Sequence, residues 1–176
     1  MDINQGRKIL TDMQICFQQM DLQITKDAEK LGDSIIVNHL SFRSWYKVER
    51  HLAEIMAVVV FEHDIVQLSM NFYSEDIRLK FPSILKLLNL MNQIRAEFYW
   101  QLIPDYEKFE FRTAMIITDN SLNTDQFKSV LQRMLKLGPV FYPLIDRFLN
   151  SHYKPQKLFN KFKTKNKRLW QDTSHP

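Results

Sequence analysis

The sequence predicts an α+β domain, an antiparallel sheet with flanking helices in the order α-β-β-β-α-β-β-α. Two stretches, 54–73 and 98–117, alternate apolar and polar residues with the period of paired strands. Between them, Phe81–Phe98 is apolar over more than half of a helical circumference. Runs of strands separated by single helices, joined by short connections, give an antiparallel sheet rather than a doubly wound parallel one.

Taken in order, Ile9, Leu10, Met13, Cys16, Phe17 and Met20 recur at helical spacing and predict an amphipathic helix over residues 4–20. Leu31-Gly32-Asp33-Ser34 marks a turn, and IIVNHLSF (35–42) reads as a first strand. A second lies within residues 45–62 and is best defined at Glu54–Phe61. There Ile55, Val59 and Phe61 alternate with Met56, Val58 and Val60. Both sides are apolar, which predicts a central strand covered on each face. Glu62-His63-Asp64 is a charged turn, with His63 solvated. In residues 64–73, Val66, Leu68, Met70 and Phe72 point one way and Gln67, Ser69 and Asn71 the other, so this strand is half-buried.

The next helix organises the chain. Ile84, Leu87, Leu88, Met91, Ile94 and Phe98 form its apolar centre, Phe81, Leu85 and Leu90 widen it, and Pro82 suits the first helical position. So wide an arc needs cover on two sides, from the sheet and from a further helix or a second subunit. This is the reason to expect a homodimer. Residues 98–103 and 109–117 form the second hairpin around Pro104-Asp105-Tyr106, with Phe109, Phe111, Thr113, Met115 and Ile117 on one side and Glu110 and Arg112 opposite. Asn123, with Gln126 three residues on, caps a long helical pattern reaching Phe148. Gly138-Pro139 and Pro143 should break or kink it.

The 176 residues suffice for one domain with a proper core, and 45% are hydrophobic. Only 3 are glycine, which argues against phosphate-cradling loops. The lone cysteine, Cys16, suits a reducing compartment. No apolar run of signal-peptide or membrane-spanning length occurs, so the expected location is cytoplasmic. No histidine or cysteine spacing suits a metal, and no nucleotide or nucleophile motif appears, so neither cofactor nor catalytic residue is expected. The net charge of +4 is unevenly placed. Residues 1–153 carry 17 basic and 19 acidic residues, whereas 154–176 carry 7 basic residues and only Asp172. This divides the chain into one domain, 1–153, and a basic tail, 154–176.

The stretches LLNLMNQIRAEF (87–98), FEFR (109–112) and LNTDQFKSVLQRMLKLGPVFYPLI (122–145), with the element order, give the region 54–149 a likeness to a known family. It resembles the YbjN-like family of bacterial proteins and the type III secretion chaperone-like fold. The resemblance implies a single α+β domain, self-association, and non-enzymatic protein binding or regulation. It brings no catalytic residues, and the basic tail lies outside its pattern.

The functional expectation is a chaperone-like or regulatory protein-binding module acting as a homodimer. Candidate partner contacts are Met56, Val58 and Tyr73, as exposed apolar positions on strands. Asn89 and Asn92 join them, an amide pair that could select a partner backbone or bond a neighbouring strand edge. The alternative is binding of nucleic acid or an anionic surface through the tail, where Lys157, Lys161, Lys163, Lys165, Lys167, Arg168 and Trp170 combine cations with aromatics. Leu158, Phe159 and Phe162 there could equally dock a last helix on the domain.

Overall fold

The computed structural model describes residues 1–25, 39–48, 51–74, 80–94, 97–119 and 121–167. Helix α1 (Ile3–Gln18) opens on a capping box. The Asp2 carboxylate accepts from the backbone N–H groups of Asn4 and Gln5, and Gln5 Oε1 accepts from Asp2 N–H at 2.9 Å. The chain continues through β1 (Ile24–Thr25), β2 (His39–Val48), β3 (His51–Val60), β4 (Ile65–Tyr73), α2 (Phe81–Asn92), β5 (Tyr99–Ile103), β6 (Lys108–Ile116), α3 (Thr124–Leu149) and α4 (Pro155–Lys165). The expected α+β class holds, with the short β1 and the helix α4 added to the expected order.

The strands form a single antiparallel sheet in the order β1-β2-β3-β4-β6-β5. The first strand differs from expectation. Residues 35–38 lie outside those described, and β2 runs on to Val48, so Trp45 to Val48 belong to it rather than to the second strand. The hairpins β3–β4 and β5–β6 close alike. Each has a three-residue 3-10 turn, Phe61–His63 or Pro104–Tyr106, followed by a left-handed residue, Asp64 (φ 47°) or Glu107 (φ 49°).

One face of the sheet carries the core. Ala53, Ile55, Ala57 and Val59 on β3 are fully buried, and Val66, Leu68, Met70 and Phe72 on β4 nearly so. The register sets Met70 opposite Phe111 and Phe72 opposite Phe109, so the β6 aromatics join the same layer. Helices α1 and α3 close over it. Phe17 stacks on Phe127 at 6.2 Å, and Phe72 on Tyr142 at 4.1 Å. The absent side chain of Gly138 admits the sheet, since a Cβ there would stand 2.5 Å from Met70 Sδ.

Two helices depart from the sequence reading. The α2 helix ends at Asn92 rather than reaching Phe98. Its Asn92 amide closes on the backbone of Trp100, accepting from the N–H at 2.6 Å and donating to the C=O at 2.9 Å. Phe98 is buried all the same, stacked on Phe111 at 5.0 Å. The α3 helix runs unbroken through Pro139 and Pro143. The prolines free the carbonyls of Leu135 and Pro139, both at half-exposed positions. The flanking Leu137, Gly138, Phe141, Tyr142, Leu144 and Ile145 are buried and hold the helix on the sheet.

The second cover for α2 comes from within the chain. Helix α4 lies against α2 and α3, with Leu158 and Phe159 buried and Phe162 at 5.3 Å from Phe141. The basic segment is therefore joined to the domain core as far as Lys165, rather than free of it. That side of α2 is thus covered in part, while Phe81 and Leu85 stay 38% exposed. Lys80 ties the start of α2 to the end of α3 by donating to the carbonyls of Phe148 and Ser151.

Candidate functional site

The opposite face of the sheet is the candidate site. Strand alternation puts Glu54, Met56, Val58 and Val60 of β3 there, with Ile65, Gln67, Ser69, Asn71 and Tyr73 of β4. Among the described residues, the observed packing of helix against strand falls on the core face. The expectation that β3 is covered on both sides agrees with its burial: in the second row Glu54 and Val58 are 4% and 9% exposed, and Met56 and Val60 are half-buried. Ser69, Asn71 and Glu110 on this face are buried as well, at 1%, 0% and 4% exposure.

Register brings the polar groups of this face into rows. One row runs Trp45, Glu54, Asn71, Glu110 and Gln101 across β2, β3, β4, β6 and β5. The next runs Arg43, Met56, Ser69, Arg112 and Tyr99. Glu54 and Glu110 are each only 4% exposed. Buried carboxylates require partners, and both have them. Glu54 Oε2 accepts from Asn71 Nδ2 at 3.0 Å and from Tyr73 Oη at 2.8 Å, while Oε1 lies 3.2 Å from Arg43 Nη1. Glu110 lies 3.6 Å from Arg112 Nη1 and 3.9 Å from Lys108 Nζ. Arg112 donates to Gln101 Oε1 at 3.4 Å and stacks over the Tyr99 ring at 5.2 Å.

Desolvation pushes the Tyr73 phenol up to about 12, aided by its hydrogen bond to Glu54. The hydroxyl is turned in towards the carboxylate while the residue as a whole is half exposed. Ser69 Oγ, Asn71 Oδ1 and Arg112 Nε are buried without a partner.

Around this charged centre stand large apolar side chains. Trp45 (42% exposed), Leu52 (56%), Tyr73 (49%), Tyr99 (39%) and Ile116 (80%) all lie on this face. They include every strand residue among the large exposed hydrophobics of the described chain. Ion pairs to two buried carboxylates, one of them with the 53% exposed Arg43, are thus bordered by large apolar side chains. Both carboxylates are already engaged by cations and hydrogen bonds, and no group of three or more potential metal ligands occurs among the described residues.

Of the residues singled out in the sequence, Met56, Val58 and Tyr73 share this face. Tyr73 is exposed as expected, but Val58 is 9% exposed and Met56 half-buried, because both lie mid-strand among larger neighbours. Asn89 is exposed on α2, away from the sheet face, and Asn92 bonds the strand edge. Lys157, Lys161, Lys163, Lys165 and Lys167 are exposed on or just beyond α4, while Arg168 and Trp170 lie outside the described residues. The sequence reading missed Arg43, Trp45, Leu52, Glu54, Tyr99 and Ile116. The alternation of Glu110 and Arg112 was visible, but what lay beside them depended on register. No helix among the described residues is long and apolar enough to cross a membrane. No family model, curated protein or solved structure was found to match this chain.

Proposed function

We propose that this is a cytoplasmic, non-enzymatic protein-binding module, chaperone-like or regulatory, built on the type III secretion chaperone-like plan of the YbjN-like family. Its docking surface is the exposed apolar border of the sheet face that carries Glu54, Asn71 and Glu110. One observation carries the reading: the large exposed apolar side chains of the strands all gather on that face, around ion pairs already fixed in place. Five strands at ~4.8 Å spacing and about eight residues at ~3.3 Å give a face of roughly 600 Å². That approaches the ~800 Å² per partner of a standard interface. Rigid aromatic side chains such as Trp45 and Tyr99 are the kind that dominate binding energy at such surfaces. Self-association belongs to the same reading. With α4 lying against α2, the exposed apolar side chains of this sheet face are the surface proposed for a second copy.

The test replaces Trp45, Leu52 and Ile116 together by serine. Their exposure predicts a melting curve close to that of the parent protein. The parent should suppress the aggregation of a reduced, unfolding client protein and scatter light as a dimer, and the variant should do neither. A parent that is monomeric and protects no client, or a folded variant that keeps both properties, would remove the proposal.

A further inference from the structure

The outer side of α4 has no part in that reading. With Leu158 and Phe159 buried and Phe162 against Phe141, the helix turns its apolar side inward. Lys154, Lys157, Lys161 and Lys165 then recur at spacings of three and four on the outer side, where they border an open hollow. Among the described residues, no carboxylate pairs with any of the four. No Asp or Glu occurs between Asp146 and Asp172, an interval holding eight Lys and Arg residues.

A second element extends the row. Arg147 of α3 lies 5.7 Å from the Tyr153 ring and Lys161 lies 4.8 Å from it. One aromatic ring therefore holds cations from two helices in one place. Asp146, beside Arg147 in sequence, accepts from Asn150 Nδ2 at 3.1 Å. Holding like charges together in this way costs free energy that a bound polyanion would offset.

We infer that the outer side of α4, with Arg147, binds the phosphate backbone of nucleic acid. The burial of Leu158 and Phe159 leaves no apolar side to insert among lipid chains, as an interfacial helix requires. Between the lysines stand Gln156, Asn160 and Thr164 instead. Gln156 donates to Asn160 Oδ1 at 3.0 Å, and Thr164 donates to the Asn160 carbonyl at 3.0 Å. The surface offers hydrogen bonds and regularly spaced cations, which suit a hydrated chain of phosphates. Binding of this kind is carried by counterion release and is largely indifferent to sequence.

The experiment uses the full chain and a labelled oligothymidylate, read by fluorescence anisotropy. About four phosphate contacts on a single strand predict a loss of about fifty-fold in affinity between about 50 and about 200 mM salt. The Lys157→Glu, Lys161→Glu, Lys165→Glu triple variant should bind at least about tenfold more weakly. These side chains are exposed, so its melting curve should match the parent's. A control changes Arg7, Lys8 and Lys47, exposed on α1 and β2, to glutamate and shifts net charge by the same amount. It should keep affinity within about twofold, since distant exposed charges are screened. No binding at low salt, equal loss in both variants, or an unweakened α4 variant would overturn the inference. Binding to vesicles rich in phosphatidylserine without binding to the oligonucleotide would overturn it equally.

Discussion

Asn92 stands in for a neighbouring strand beside Trp100. Its side-chain amide accepts from the Trp100 N–H at 2.6 Å and donates to the Trp100 C=O at 2.9 Å. An outer edge strand presents unpaired backbone groups that invite another chain. On β5, the last strand of the sheet, one residue's worth of that edge is completed from the end of α2. Asn92→Ala should cost about 1–3 kcal/mol, because two backbone groups lose their partner. Chemical denaturation measures the loss. An unchanged midpoint would mean that water replaces the amide at no cost.

The docking of α4 makes a second prediction. Leu158 is 2% exposed within the main core. Leu158→Ala should destabilise the whole domain by about 2–4 kcal/mol through lost burial and a residual cavity. A global two-state unfolding curve shifted by that amount would tie α4 to the cooperative unit. A shift below about 0.5 kcal/mol, the range of ordinary surface changes, would contradict the packing.

The tyrosines give the chain a dependence on alkaline pH. Burial pushes Tyr142 up to about 12, and Asp146 adds to the effect. Tyr73 reaches about 12 through burial and its hydrogen bond to Glu54. In the unfolded chain both ionise near 10. Above about pH 10 the unfolded state therefore binds fewer protons than the folded one, and stability falls as pH rises towards about 12. Below about pH 10 these two groups add no slope. Phenolate absorbance should show Tyr73 and Tyr142 ionising late. Glu54→Gln should bring Tyr73 back down by removing the neighbouring negative charge.

The hairpin turns supply a fourth prediction. Glu107 holds a left-handed backbone with φ 49° at the end of the β5–β6 turn. A side chain there is strained by its own carbonyl, and glycine relieves the contact. Glu107→Gly should raise stability by about 0.5–1 kcal/mol in thermal unfolding, the gain being reduced by the entropy of a freer unfolded chain. Glu107→Ala keeps the strain and should bring no gain. Equal effects of the two changes would place the cause in the lost charge rather than in the backbone.

The local elements were legible in the sequence because each is written at short range. The period of two in residues 64–73 gave β4, Asn123 gave the start of α3, and the wide arc around Leu87 and Leu88 gave α2. Ends set by distant partners were not legible. Helix α2 stops at Asn92 because its amide bonds Trp100, and nothing in residues 92–98 announces that stop. The prolines of α3 were given too much weight, since propensity acts on the isolated helix and buried neighbours on both sides of Pro139 outweigh it. The sheet face is the clearest case. Glu54, Asn71 and Glu110 lie on three strands and become one charged centre only through cross-strand register. The sequence by itself determined the elements and the basic segment near the C-terminus. Only the tertiary structure decided that α4 lies against α2 and that the exposed apolar strand residues share one sheet face, because both depend on contacts between residues far apart in the chain.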